Sequence, residues 1–130
     1  MSNPFPSQLL SELVDKPVVQ VGIVVRDAVR TAKQYAKLFG LGPWVFNDIK
    51  PTGIRLHDHA LGEVDACVRI ATANLGNIQI ELLQPLYGPS THMEFLNRHG
   101  QGVHHLSFGR IDDHDKAVEN CANAGIGVEM

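Results

Sequence analysis

Gly102–Arg110 reads GVHHLSFGR, two adjacent histidines inside an otherwise apolar, strand-like run. Alternation along a strand sends successive side chains to opposite faces. His105 and Ser107 are therefore expected on one face, and His104, Leu106 and Phe108 on the other. By that rule one imidazole enters a cleft or core whichever face is buried. Imidazole is a common metal ligand, and a buried histidine that simply hydrogen-bonds is the ordinary alternative.

Working outward, the same pattern occurs earlier in the chain. A shift of 85 positions lays Gln20 on His105, Asp27 on Asp112, Ala32 on Ala117, Gly40 on Gly125, Leu41 on Ile126 and Gly42 on Gly127. Val18–Val25, VVQVGIVV, is a β-branched apolar run that predicts a buried strand with Gln20 as its polar member. Asp27 is expected to cap a helix from Ala28 to about Phe39, with Val29, Ala32, Tyr35, Ala36 and Phe39 as its apolar stripe and Gly40 as its stop. In the second copy, Asp112 is the expected cap of a helix reaching Ala124, and Gly125 the stop. Any two strand–helix units can share a cap aspartate and a stop glycine. The repeated Gly-x-Gly favours duplication of a whole module.

The remaining punctuation defines that module. Strands are expected from Leu41–Asn47, over Asp65–Ala73, and over Ile78–Leu83 ending at Pro85, with an irregular stretch at 48–63 and a Gly76-Asn77 turn. Ser90–His99 predicts a helix capped by Ser90 or Thr91. Ile126–Met130 begins a further strand. The fold class is α+β, with paired βαβββ modules and an apparently truncated second module. Module one spans 18–86, a linker helix 87–101, and partial module two 102–130, together one domain over 18–130. Residues 1–17 form an extension, with a short amphipathic helix carrying Leu9, Leu10 and Leu13.

Composition sets limits. The chain has 130 residues and a formal net charge of −3, which gives no electrostatic footprint for nucleic acid or an anionic membrane. No apolar run reaches the roughly 18 residues of a membrane span. The N-terminus lacks a basic start followed by an apolar core, so no secretory signal is read there. Cys67 and Cys121 are isolated and read as reduced packing residues in a cytoplasmic protein. No nucleophile elbow, phosphate loop or dinucleotide fingerprint is present.

VQVGIVVRD, ANLGNIQIELLQPL and FLNRHGQGVHHLSFGRIDD, which lie between residues 18 and 130, resemble the vicinal oxygen chelate superfamily. That group includes glyoxalase I, extradiol dioxygenases, bleomycin-resistance proteins and methylmalonyl-CoA epimerases. Within it these motifs are most similar to the epimerases. The resemblance implies that each module curls its sheet around a cleft holding a divalent metal: zinc, cobalt, nickel, manganese or magnesium. Carried over by motif, the ligands are Gln20, Glu81 and His105. From the residues alone, the slightly stronger reading of Glu81 is a solvent-facing partner of Gln79, and the resemblance turns it to a ligand. Epimerases of this type usually have His at the position of Gln20 and often Gln at that of Glu81, so the set Gln, Glu, His is closer to eukaryotic-type glyoxalase I. The family's fourth ligand, a Glu that also transfers protons, is expected at about position 166 by the repeat. Glu129 comes too early in the module to replace it, so no catalytic residue is assigned among these residues.

The chemistry implied is proton removal next to a carbonyl, in a metal-dependent isomerase, epimerase or lyase. The substrate is a small molecule, possibly an acyl-CoA thioester. Trp44, Phe46, Arg69 and Ser107 are placed on the substrate side. Core packing is the competing reading for Trp44 and Phe46, and a solvated face for Arg69, Glu63 and Asp65. His57-Asp58-His59 reads as a solvent loop, His104 as packing behind the metal strand, and His92, His99 and His114 as solvated. The alternative function is a metal-free, drug-sequestering binding protein of the same fold. A homodimer is expected, with Leu9, Leu10 and Leu13 buried.

Overall fold

The apolar run beginning at Val18 folds as β1 (Gln20–Val24), and its sequel follows the capping rules closely. In this computed structural model, residues 16–51, 55–56, 59–60 and 62–127 are described. The Asp27 side chain accepts from the Arg30 N–H at 3.0 Å and starts α1 (Ala28–Phe39). Gly40 ends it at φ 67, a left-handed backbone open to glycine at little cost. Then come β2 (Val45–Ile49), a small hairpin of β3 (Arg55–Leu56) and β4 (His59–Ala60), β5 (Cys67–Leu75), and β6 (Ile78–Tyr87). The second stretch holds α2 (Thr91–His99), β7 (Gly102–Ser107) and α3 (His114–Asn123). Ser90 caps α2 through a 2.9 Å bond from the Met93 N–H.

One five-stranded sheet runs β2-β5-β6-β1-β7. β1 lies parallel to β6 and antiparallel to β7, so the first strand of each module sits beside the other. Helices cover both faces. Under α1, Val25, Ala28, Ala32, Ala71 and Leu82 form one core cluster, edged by Ile23, Tyr35, Trp44 and Ile80. Under α2, Val24, Val68 and Leu83 form another, edged by Ile70, Phe95 and Leu96. Residues alternate faces along a strand. The neighbours of Val24 and Leu83 at steps of two, Gln20, Gly22, Gln79 and Glu81, therefore belong to the α2 face. No helix among the described residues is long and apolar enough to cross a membrane. Cys67 is buried and Cys121 half-buried, both as free thiols.

Three expectations need correction. Strand β6 does not stop at Pro85 but continues to Tyr87. Its partner β1 has already ended at Val24, opposite Leu83, and the ladder to β5 shifts register between Cys67 and Val68, so a missing N–H is tolerated there. The cap of α3 is Asp113, not Asp112, with the Lys116 N–H bonded to it at 3.0 Å. The helix of the second copy thus starts one residue late, while the offset of 85 still holds at its buried alanine, Ala32 on Ala117, and at its stop, Gly40 on Gly125, both of positive φ. Ile126 and Gly127 are not in a strand. The helix expected around Leu9, Leu10 and Leu13, the strand beyond Gly127, and His57-Asp58 lie outside the described residues.

Candidate functional site

The sheet register sets Glu81 of β6, Gly22 of β1 and His105 of β7 in one row across three strands. The next row holds Gln79, Gln20 and Ser107. Glycine at the centre of the first row is a steric requirement. A Cβ on Gly22 would overlap Cε1, Nε2 and Nδ1 of the His105 ring. Without one, the imidazole lies across β1 and reaches the carboxylate on the far strand. His105 Nε2 is 3.3 Å from Glu81 Oε1 and 3.3 Å from Gln20 Oε1. The Gln20 amide donates to Gln79 Oε1 at 2.8 Å and to Glu81 Oε2 at 3.3 Å. Gln20, Glu81 and His105 are therefore brought to one point, on the face shared with α2.

The electrostatics are those of a carboxylate drawn into the fold. The Glu81 side chain keeps 16% of its exposure. Burial raises its pKa above the usual value, against the opposing effects of the His105 charge and of hydrogen bonds from His105 and Gln20. Among the described residues no lysine or arginine pairs with it. Both partners of His105 Nε2 are oxygens, so that nitrogen carries hydrogen, and its Nδ1 pairs with His104 Nδ1 at 2.9 Å.

His104 does not pack behind the strand. The ladder steps from Gly22–His105 to Ile23–Val103, making His104 the extra residue of a bulge. A bulge interrupts alternation, and both imidazoles emerge on the α2 face. The His104 ring meets His92 at 4.9 Å and Phe95 at 5.2 Å between centroids. His92 is likewise half-buried rather than solvated, with its Nδ1 buried and lacking a hydrogen-bond partner. Its pKa is pushed down to about 4 by burial and by the nearby His104 and His105.

Of the substrate-side residues, only Ser107 shares the face of the cluster. Trp44 packs on the α1 cluster, 6.3 Å from Tyr35, and donates to the Leu41 carbonyl at 2.9 Å. Phe46 pairs with Ala71, which pairs with Leu82, so all three share the α1 face. Arg69 stands two residues before Ala71 on that same face and grips Asp48 by two bonds of 2.8 and 3.0 Å. His99 and His114 are exposed, as expected.

Residues 19–130 match the model of the Glyoxalase/Bleomycin resistance protein/Dioxygenase superfamily. The chain belongs to this superfamily. Among solved structures, a hypothetical protein from Bacillus halodurans C-125 is similar at 22% identity and TM-score 0.57, over 85% of this chain and 70% of that one. Methylmalonyl-CoA epimerase from Mycobacterium tuberculosis is similar at 24% identity and TM-score 0.53, over 83% of this chain and 63% of its own. A variant of Streptomyces coelicolor methylmalonyl-CoA epimerase, in complex with 2-nitronate-propionyl-CoA, is similar at 24% identity and TM-score 0.58, over 85% and 72%. At these identities the likeness shows a shared fold. No curated protein matches the sequence.

For this glyoxalase-superfamily chain, sequence reasoning missed Gly22, His92 and His104 as parts of the site. Gly22 had a signal, a glycine inside a strand run, which marks close approach of another group. His104 had none, because a bulge is not written in alternation. His92 had only its place in the first turn of a helix.

Proposed function

We propose that this chain is a divalent-metal-dependent isomerase or lyase that removes a proton from the carbon next to a carbonyl. The observation that carries the reading is the convergence of Gln20, Glu81 and His105 across three strands. Their donor chemistry fits a divalent ion: an amide oxygen, a carboxylate oxygen and an imidazole nitrogen. The half-buried Glu81, with no lysine or arginine beside it among the described residues, is a charge that a cation would compensate. Zinc, cobalt, nickel, manganese and magnesium all accept such sets. When bound, the ion supplies Lewis-acid stabilisation of negative charge on a carbonyl oxygen.

The chain's own residues do the rest. Gly22 clears the space in which His105 lies. For Nε2 to be a ligand its hydrogen must sit on Nδ1, and His104 Nδ1 stands where it accepts that hydrogen. Gln79 holds the Gln20 amide by its nitrogen, which leaves Oε1 pointed toward His105. Ser107, on the same face, offers a hydroxyl to substrate. The superfamily and the epimerase-like fold favour a small acyl thioester such as an acyl-CoA, with a hydroxycarbonyl adduct as the other substrate class. We also propose that the chain acts as a homodimer and, from the two free thiols, in a reducing cytoplasmic setting.

One observation favours a second reading, a metal-free binding protein. The Gln20 amide nitrogen already bonds the Glu81 carboxylate, which satisfies the cluster without an ion. Deuterium uptake from solvent at the carbon beside the carbonyl distinguishes the two. The assay uses the natural full chain with 2-methyl-branched acyl-CoA thioesters and with hemithioacetals, plus and minus each metal. The enzyme reading requires metal-dependent exchange that His105→Ala removes. No bound metal and no exchange with either class would establish the binding protein.

A further inference from the structure

We propose that His92, His104 and His105 form a second metal site, selective for zinc-like ions, that competes with the Gln20–Glu81 pair for His105. One ligand nitrogen of each of the three histidines lies within 4.8 Å of the others, and all three rings are half-buried. Two of these rings are already in register, with Nδ1 of His104 and Nδ1 of His105 2.9 Å apart. The third is delivered by α2, whose start is fixed by the buried cap Ser90. His92 brings a buried nitrogen with no hydrogen-bond partner, a group that costs stability unless something occupies it.

The geometry suits a tetrahedral ion. Zinc–nitrogen bonds of about 2.0–2.1 Å place ligand nitrogens about 3.3 Å apart, with the fourth position open to water. A ligand imidazole must be neutral, and an imidazole's ordinary pKa of about 6.5 leaves it mostly so at pH 7 and above. Three nitrogens without an oxygen favour zinc, copper or nickel and disfavour magnesium or manganese, which prefer oxygen. The Gln20, Glu81 and His105 set has the opposite bias.

The two sites cannot both be filled by a neutral His105. Its Nε2 faces Glu81 and Gln20, and its Nδ1 faces His104. A neutral imidazole has one nitrogen free to accept, so it serves one ion at a time. Zinc at the three histidines would withdraw His105 from the oxygen-rich set. This last consequence rests on the function proposed above. The site itself does not.

The test is calorimetric titration of the full chain with Zn2+ alone and Mn2+ alone. His92→Phe should weaken Zn2+ binding at least tenfold and leave Mn2+ binding unchanged. Glu81→Gln should weaken Mn2+ binding at least tenfold and leave Zn2+ binding in place. On the unaltered chain, nitrogen-15 histidine side-chain spectra should show Zn2+ moving the ring signals of His92, and Mg2+ leaving them where they are. Unmoved His92 signals with Zn2+, or equal Zn2+ affinity in folded His92→Phe, would overturn the site. Zn2+ held through His92, with no Mn2+, Co2+, Ni2+, Mg2+ or further Zn2+ binding that Glu81→Gln weakens, would keep the site and sink the metal-dependent enzyme.

Discussion

Gly22 and Glu81 show how single positions separate stability from function here. A methyl at Gly22 collides with the movable end of His105 rather than with backbone, so the ring can swing aside. Gly22→Ala should therefore cost only about 1–3 kcal/mol, the usual range for overpacking. It should nevertheless reduce Mn2+ affinity at least tenfold, because His105 can no longer lie across β1. Thermal melting and calorimetric titration of one sample read both effects. Glu81 works the other way. Its folded pKa is raised, so the unfolded chain releases that proton first, and stability falls as pH rises from the unfolded value through the folded one. Glu81→Gln should raise the metal-free melting temperature at pH 7 and lose that advantage near pH 4, while weakening Mn2+ binding at the Gln20–Glu81–His105 cluster at least tenfold. Both residues stood in apolar strand runs, and Glu81 was legible as a ligand candidate through the family resemblance, with which strand parity agrees. The crowding at Gly22 was not, since it depends on which strand lies beside β1.

At the scale of elements, caps were legible to within one residue, and the two copies differ by that residue in where their helices start. Asp112 and Asp113 are adjacent carboxylates, and either can cap a helix by composition. Only Asp113 accepts from the helix, through the Lys116 N–H. Asp113→Ala should destabilise by about 1 kcal/mol and Asp112→Ala by less than about 0.5 kcal/mol, as equilibrium denaturation would register. Equal effects would show that Asp112 shares the cap. The bulge in β7 was illegible for a related reason. GVHHLS is as good a regular strand as a bulged one, and only the ladder to β1 shows that His104 is the extra residue. Alternation therefore placed His105 correctly and His104 on the wrong face.

Across the whole molecule, face assignments required the complete register. Parity alone ties Phe46 to Asp48 and Arg69 to Ala71, but not either pair to Glu81. The order β2-β5-β6-β1-β7, with helices on both faces, puts Phe46 and Arg69 under α1 and the cluster under α2. The repeat and the strand–helix punctuation were enough for the fold class, because those signals are local. The partition of polar groups between two helix-covered faces is not local, and it governs how the metal-free protein responds to acid. His92 is held on the α2 face with its pKa down at about 4, against about 6.5 when unfolded. Between these values the unfolded chain binds more protons than the folded one, so stability must rise with pH across that window and level off above it. At about 1.4 kcal/mol per unit of pKa, the full effect is up to roughly 3 kcal/mol. In chelator-containing buffer, the difference in unfolding free energy between the unaltered chain and His92→Phe should grow as pH falls from 6.5 to 4, with the unaltered chain losing more. A difference that stays constant over that range would mean that His92 titrates normally, and that its ring is not held neutral in the fold.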